Sequence, residues 1–461
     1  MPGRKIVPWL VAVMAILATT AVALLVLNLR RTATTKLISI AVRPFADESS
    51  AHDQAYFCDG VAEELSARLG LFPALRAVSF GSVLRLRKAD TAEFVKQLGL
   101  DAILEGGIAK ENGRLRVHVR LSRVAEAAPV WEQTFDEPAG TEVAIEDQIV
   151  REVIKRLKAG FVRPIRSTKN AEAHDLYLRG RAELRKRPGF SSPEAAGFFQ
   201  QAIAKDSQYA RAFAGLAEAY RLAPEARAAA LQALTYDESL GDAHVSLARV
   251  LMWVDADWET AEKELSRSRT LTPQIPETYQ LLATILALRG KHQDAPIMLE
   301  PALDLDPLSP QVHEVHAKVL ILARDYPNAI RAARRAVELD PNFMPGNRTL
   351  GQALVLSGRF DEGISTLWGP TRDPWGLAMA GRTDEARRAL DELLLKGLAP
   401  SPLEIARAYA ALGDRDEAFQ WLDRFNEDRG LLANIVGPEW DKLRPDPRYN
   451  ALLKKIGLGA K

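Results

Sequence analysis

Residues 276–307, PETYQLLATILALRGKHQDAPIMLEPALDLDP, and residues 310–341, PQVHEVHAKVLILARDYPNAIRAARRAVELDP, align at a spacing of 34 residues. Ala283 falls on Ala317, Leu286 on Leu320, Ala295 on Ala329, Ala302 on Ala336, and Asp306-Pro307 on Asp340-Pro341. A period of this length constrains the chain strongly. One unit cannot bury its apolar face alone, so units must stack on their neighbours. Carrying the frame outward predicts further units over 174–207, 210–238, 241–273 and 344–370. Two degenerate units follow, marked by Gly381–Ala386 and Gly413–Ala418, and a closing helix is expected within 439–458. The array is therefore expected to span 170–455 with about eight units.

These repeats resemble the tetratricopeptide repeat, a helix–turn–helix unit with small residues where its helices touch and Pro at its exit. The resemblance implies an all-α superhelix whose inner face is lined by the first helix of each unit and docks partner segments. In that frame Arg211, Arg249, Lys318 and Arg348 fall at inner-face positions, with Trp253 near the same surface. A basic, aromatic-bearing groove suits an acidic peptide. The competing reading is an ordinary solvated face.

Upstream, Ile6 to Leu29 is an apolar run without a charge. About 24 residues of helix span roughly 36 Å, enough to cross a hydrocarbon core. The expectation is a transmembrane helix over 6–29 behind a cytoplasmic stub over 1–5. A cleaved signal peptide is the rival, with Ala21-Val22-Ala23 as the cleavage site, although the run continues past it. Basic residues flank the run on both sides, so they do not decide orientation. The formal net charge of +1 supplies no global basic field, and no nucleic-acid partner is expected.

Residues 37–161 read as a mixed α/β region in the order β-α-β-α-β-β-β-α, with helices on one face of a sheet. Strands are predicted at 37–42, 74–80, 102–110, 114–122 and 129–136, and helices at 53–70, 91–99 and 142–158. Asn112-Gly113 between two alternating runs is a strong hairpin signal.

Catalytic signals are weak. Cys58 is the single cysteine, but Phe57, Val61, Leu65 and Leu69 form a helical stripe beside it, which is how a buried structural thiol looks. His313 and His316 have zinc-like spacing without a third ligand, and are better read as core or groove histidines. Glu105-Gly106-Gly107 lies inside a strand and reads as a bulge or a close backbone approach rather than a phosphate loop. No Walker A, G-x-S-x-G, HExxH or dinucleotide fingerprint appears. The expectation is no enzyme, no cofactor, no metal and no small-molecule substrate.

Ala41-Val42-Arg43-Pro44-Phe45, Tyr56-Phe57-Cys58-Asp59-Gly60 with Glu63-Glu64-Leu65, Ile103–Gly107, the Gly113–Val117 hairpin arm and Trp131 resemble the TolB amino-terminal-like domain, related to the flagellar FlgO type. Cys58 stands where that family commonly has Ala. Such domains are often joined to tetratricopeptide repeats in bacterial signalling proteins, behind a winged-helix or nucleotide cyclase domain and a membrane segment. Here only MPGRK precedes the apolar run, so that output domain is expected to be missing. The layout of those relatives implies a single-pass inner-membrane protein with periplasmic domains, acting as an interaction scaffold or sensor. The alternative is a cytoplasm-facing accessory of a separately encoded signalling enzyme. Either way the purified chain is expected to show no turnover of nucleotides in a coupled assay, and measurable hydrolysis or cyclisation would refute this.

Overall fold

The computed structural model describes residues 37–126, 128–159, 168–186, 189–367, 373–395, 401–424 and 431–458. Near the amino terminus a sheet runs in the order β3 (Leu75–Ala77), β1 (Ile38–Val42), β4 (Ala102–Glu111), β5 (Arg114–Arg123) and β6 (Trp131–Pro138). The first three strands are parallel, and β4, β5 and β6 form an antiparallel ladder. A short β2 (Ala46–Asp47) also pairs in parallel with β4. Asn112 and Gly113 both have positive φ, the conformation that closes a two-residue hairpin.

Helix α1 (Ala55–Leu69) leads from β2 to β3, while α2 (Phe80–Arg85) and α3 (Thr91–Leu98) lead from β3 back across β1 to β4. Right-handed crossovers in opposite directions place their helices on opposite faces. The Arg43 guanidinium accordingly lies 4.2 Å from the Phe94 ring centre of α3. The expectation of helices on one face only is corrected for α3, whose Phe94 lines a cavity with Glu105 and Arg120 on the face opposite buried Val117 and Val119; α2 stays beside α1, where Asp59 pairs with Arg87. Helix α4 (Glu142–Leu157) closes the region. The predicted strand over 74–80 is shorter than expected, because Ser79 accepts a hydrogen bond from the Gly81 N–H and starts α2.

The rest is mostly helical and tetratricopeptide-like. Among the described residues it forms eight helix pairs. The first five are 171–186 with 193–205, 210–220 with 224–236, 241–250 with 258–271, 276–288 with 294–305, and 310–322 with 326–339. The last three are 344–356 with 360–366, 374–379 with 383–395, and 402–412 with 415–424. Buried alanines, among them Ala195, Ala226, Ala261, Ala295 and Ala329, sit where paired helices touch and let their backbones approach.

The single-pass inner-membrane placement is corrected. Residues 6–29 lie outside the described residues. Among the described residues no helix is long and apolar enough to cross a membrane. The helices 142–157 and 171–186 have 16 residues each, about 24 Å at 1.5 Å per residue, and both carry several charges.

The sheet region is docked on the inner side of the array. Glu63 of α1 pairs with Arg181, at 2.6 Å, and with Arg185, while Glu64 pairs with Arg211. Glu146 of α4 meets His174 at 3.0 Å and Arg68 at 3.3 Å, all three buried. The turns between repeats supply a second line of contact. Gln274 uses its amide as a surrogate strand, accepting from the Ala77 N–H at 2.7 Å and donating to the Leu75 carbonyl at 2.5 Å. One repeat further, Ser79 N–H reaches the Leu305 carbonyl at 2.8 Å, and Ser82 reaches Asp306 at 2.5 Å. A further repeat on, Arg85 reaches the Leu339 carbonyl at 2.8 Å.

Burial works against charge on His174, but the Glu146 carboxylate outweighs it and raises the histidine above its ordinary 6.5. Burial opposes ionisation of Glu146 too, but His174, with Arg68 and Arg211 nearby, outweighs it and holds the carboxyl below its ordinary 4.5. The histidine contribution is complete below pH 6.5 and is lost as pH rises through the raised value; the glutamate contribution is complete above 4.5 and is lost on acidification. Urea unfolding is therefore expected to show this interface most stable between those two values. His174→Ala should lower stability by about 3 kcal/mol, because Glu146 is left buried without its neighbour. A pH-independent profile would refute the assignment.

Candidate functional site

The first helices of pairs three to six, the turn after the first helix of pair two, and a segment near the carboxyl end bound a cavity of about 420 Å³. Arg249, Trp253 and Lys318 line it, so three of the five groove candidates converge. The other two do not. Arg211 is buried against Glu64 of α1, and Arg348 reaches Glu404 at 3.1 Å on the surface. The part of the groove expected to offer Arg211 is already filled by the chain's own acidic helix.

Arg249 is 2% exposed. Its Nε and Nη2 grip both oxygens of Glu277 at 2.9 and 2.8 Å, and its buried Nη1 has no hydrogen-bond partner among the described residues. A buried donor without an acceptor is costly unless something else supplies one. Trp253 stands on a π-helical turn, Leu251–Asp255, that ends the first helix of pair three, and it packs edge-on against Trp258. Such turns often mark functional positions. Lys318 is tied to Glu314 at 2.6 Å.

Three groups at the site escaped the sequence reading. Arg221 has φ +57, in the left-handed region that favours glycine. Its turn follows the first helix of pair two; the equivalent turns of pairs four, six, seven and eight use Gly290, Gly358, Gly381 and Gly413, all with positive φ. The signal was present in the sequence, since the 34-residue frame sets Arg324 between Gly290 and Gly358. Arg324 also has positive φ. An L-residue there costs about 1 kcal/mol or more. Both arginines accept that strain; Arg221 lines the cavity, and Arg324 pairs with Asp441.

Glu277 is held below its ordinary value: burial opposes ionisation, but Arg249 and Arg221 outweigh it. Burial and the neighbouring Arg249 push Arg221 down. Among the described residues no ion pair neutralises Arg221, which leaves two guanidiniums around one fully used carboxylate. Glu439 is the third group. Burial raises its carboxyl; one oxygen accepts from Gln352 at 2.9 Å and the other has no partner.

Glu439 belongs to a segment that folds back over the groove. Asp441 pairs with Arg324 at 2.7 Å, and the Ile456 carbonyl accepts from the Trp258 indole at 2.7 Å. On the other side a second cavity of about 520 Å³ shares Arg221, Glu277 and Gln280 with the first and is bounded by Phe80, Gly81, Leu84 and Arg85 of α2. The open groove is thus a short central stretch between α2 and the returning segment.

The remaining candidates take structural roles. Cys58 is buried and pushed up to about 12 by burial and by Asp47 and Asp59, the opposite of an activated thiol. His52 turns its ring to the Asp47 carbonyl at 3.0 Å. His313 meets the Pro307 carbonyl at 2.9 Å, and burial lowers both His313 and His316. A side chain at Gly106 would collide with the His118 carbonyl, the close backbone approach expected there. Among the described residues no group of three His, Cys, Asp or Glu could hold a metal ion.

No protein-family model matches the chain. It is 27% identical over 188 residues to the putative adenylate cyclase 3 of Rhizobium meliloti (strain 1021), a match covering 39% of this chain and 32% of that protein. The matched part is therefore about a third of that relative's length. Solved structures similar to parts of the chain include the tetratricopeptide protein TTC0263 of Thermus thermophilus, at 17% identity and TM-score 0.34, covering 40% of this chain and 99% of that one. The human IFIT1 dimer with PPP-AAAA is 18% identical at TM-score 0.37, covering 62% and 78%. YrrB, a tetratricopeptide protein described as having an unusual peptide-binding site, is 16% identical at TM-score 0.29, covering 42% and 99%. At these scores the architecture is read from the chain's own helix pairs.

Arg221→Gly is expected to stabilise the fold by about 0.5–1 kcal/mol in urea melts, since glycine adopts the left-handed conformation freely and Glu277 keeps both of its hydrogen bonds from Arg249. A loss of stability would show that Arg221 is held by a partner within the chain.

Proposed function

We propose that the chain is a non-catalytic binding scaffold that receives an acidic segment of a partner protein in the central stretch of its groove. The observation that carries this reading is Arg249, buried with an unpartnered Nη1, beside Arg221, Trp253 and Lys318 in one cavity. The docking of Glu63 and Glu64 on Arg181, Arg185 and Arg211 supports it, because the same inner face already holds an acidic helix of this chain. The resemblance of the sheet region to the TolB amino-terminal-like domain fits a region that positions such a partner.

A second reading, an accessory of a separately encoded signalling enzyme, is favoured by the similarity to the putative adenylate cyclase. On that reading the partner segment belongs to the enzyme.

Panning a displayed random-peptide library on the full chain is expected to enrich acidic sequences. Binding of an enriched peptide should fall at least tenfold, about 1.4 kcal/mol, in Arg249→Glu and Lys318→Glu. Arg348→Glu, outside the cavity, should leave it unchanged. Enrichment of neutral or basic sequences, or indifference to both groove variants, would overturn the proposal.

A further inference from the structure

Away from the groove, the sheet region has a crevice of its own. The connections from β1 depart in opposite directions, through α1 to β3 on one side and, from β3, through α2 and α3 to β4 on the other. The point where the strand order reverses, beyond the carboxyl ends of parallel strands, is where open α/β sheets bind ligands. A cavity of about 570 Å³ lies there, at the end of β1.

Its charges are unevenly matched. Arg87 is held by Asp59 at 2.5 Å, and Arg120 by Glu105 at 2.5 Å. Asp47 is fully used by the backbone N–H groups of Ser49 and Gln54 at 3.1 and 2.7 Å. Arg43 is left over. It rests on the Phe94 ring and makes one long contact, 3.5 Å, to the Ala89 carbonyl; its buried Nε has no partner. Glu48 is left over as well, with no ion pair among the described residues. Its carboxylate lies over Gly107, where any side chain would displace it, and Gly106 beside it leaves the floor of the crevice bare. One unmatched cation and one unmatched anion therefore face one cavity with an aromatic wall.

We propose that this crevice binds a small zwitterion of the free amino-acid type, its carboxylate on Arg43 and its ammonium on Glu48. Opposite charges at fixed positions select a molecule carrying both, because an anion alone leaves Glu48 unpaired and adds repulsion from Asp47 and Glu105. The site is separate from the groove, so the peptide reading can fail without it.

The test is isothermal titration of the full chain with each common L-amino acid, and with acetate and methylamine as single-charge probes. At least one amino acid is expected to bind, and neither single-charge probe should. Arg43→Gln and the exposed Glu48→Gln should each weaken binding at least about tenfold. The groove variant Arg249→Glu should leave it unchanged. The proposal is overturned if no amino acid binds, if acetate binds as tightly, or if Glu48→Gln, which removes no packing, has no effect.

Discussion

The contact on which the rest depends is the seam between α1 and the first helices of the array. Glu63, Glu64 and Arg68 leave the same helix and meet Arg181, Arg185, Arg211 and the buried Glu146–His174 pair. Buried charges are expensive alone, so each partner is needed where it is. With these pairs satisfied, the apolar sides of both regions merge: Leu65 and Leu69 of α1 share one buried cluster with Leu178, Phe199, Leu265 and Leu282 of the array. The sheet region thus becomes an inner buttress of the superhelix.

Repeat arrays are ordinarily held by neighbours alone. Here contacts between distant units add to that. The returning carboxyl segment ties Trp258, Arg324 and Gln352 to Ile456, Asp441 and Glu439. Gln274, Leu305, Asp306 and Leu339, on three successive inter-repeat turns, serve as a ladder for β3 and α2. The repeat period therefore sets both the stacking of helices and the spacing of the docking points. What remains open is small, of mixed polar and apolar lining, and enclosed on two sides, so recognition there depends on a few side chains rather than a long groove.

Much of the fold was legible. Helix pairs follow from the 34-residue period, the hairpin from Asn112-Gly113, and the inert thiol from the stripe around Cys58. The site was legible in part. Arg249, Trp253 and Lys318 could be placed on an inner face by the frame, and Arg324 could have been found as an arginine at a glycine position. Arg211 was misjudged because an inner-face position says nothing about what else occupies that face. The membrane placement rested on residues 6–29, which lie outside the described residues.

By itself the sequence determined the local elements and their repetition, because helix pairing, hairpin closure and small-residue contacts act between residues close along the chain or one period apart. Only the tertiary structure decided which part of the inner face stays open. The ion pairs that close the rest join residues 118 and 147 positions apart, Glu63 with Arg181 and Glu64 with Arg211, and the returning carboxyl segment joins residues 198 apart, Trp258 with Ile456. No local pattern encodes such pairs. They arise when two separately patterned surfaces, one acidic and one basic, are brought together and water is excluded between them.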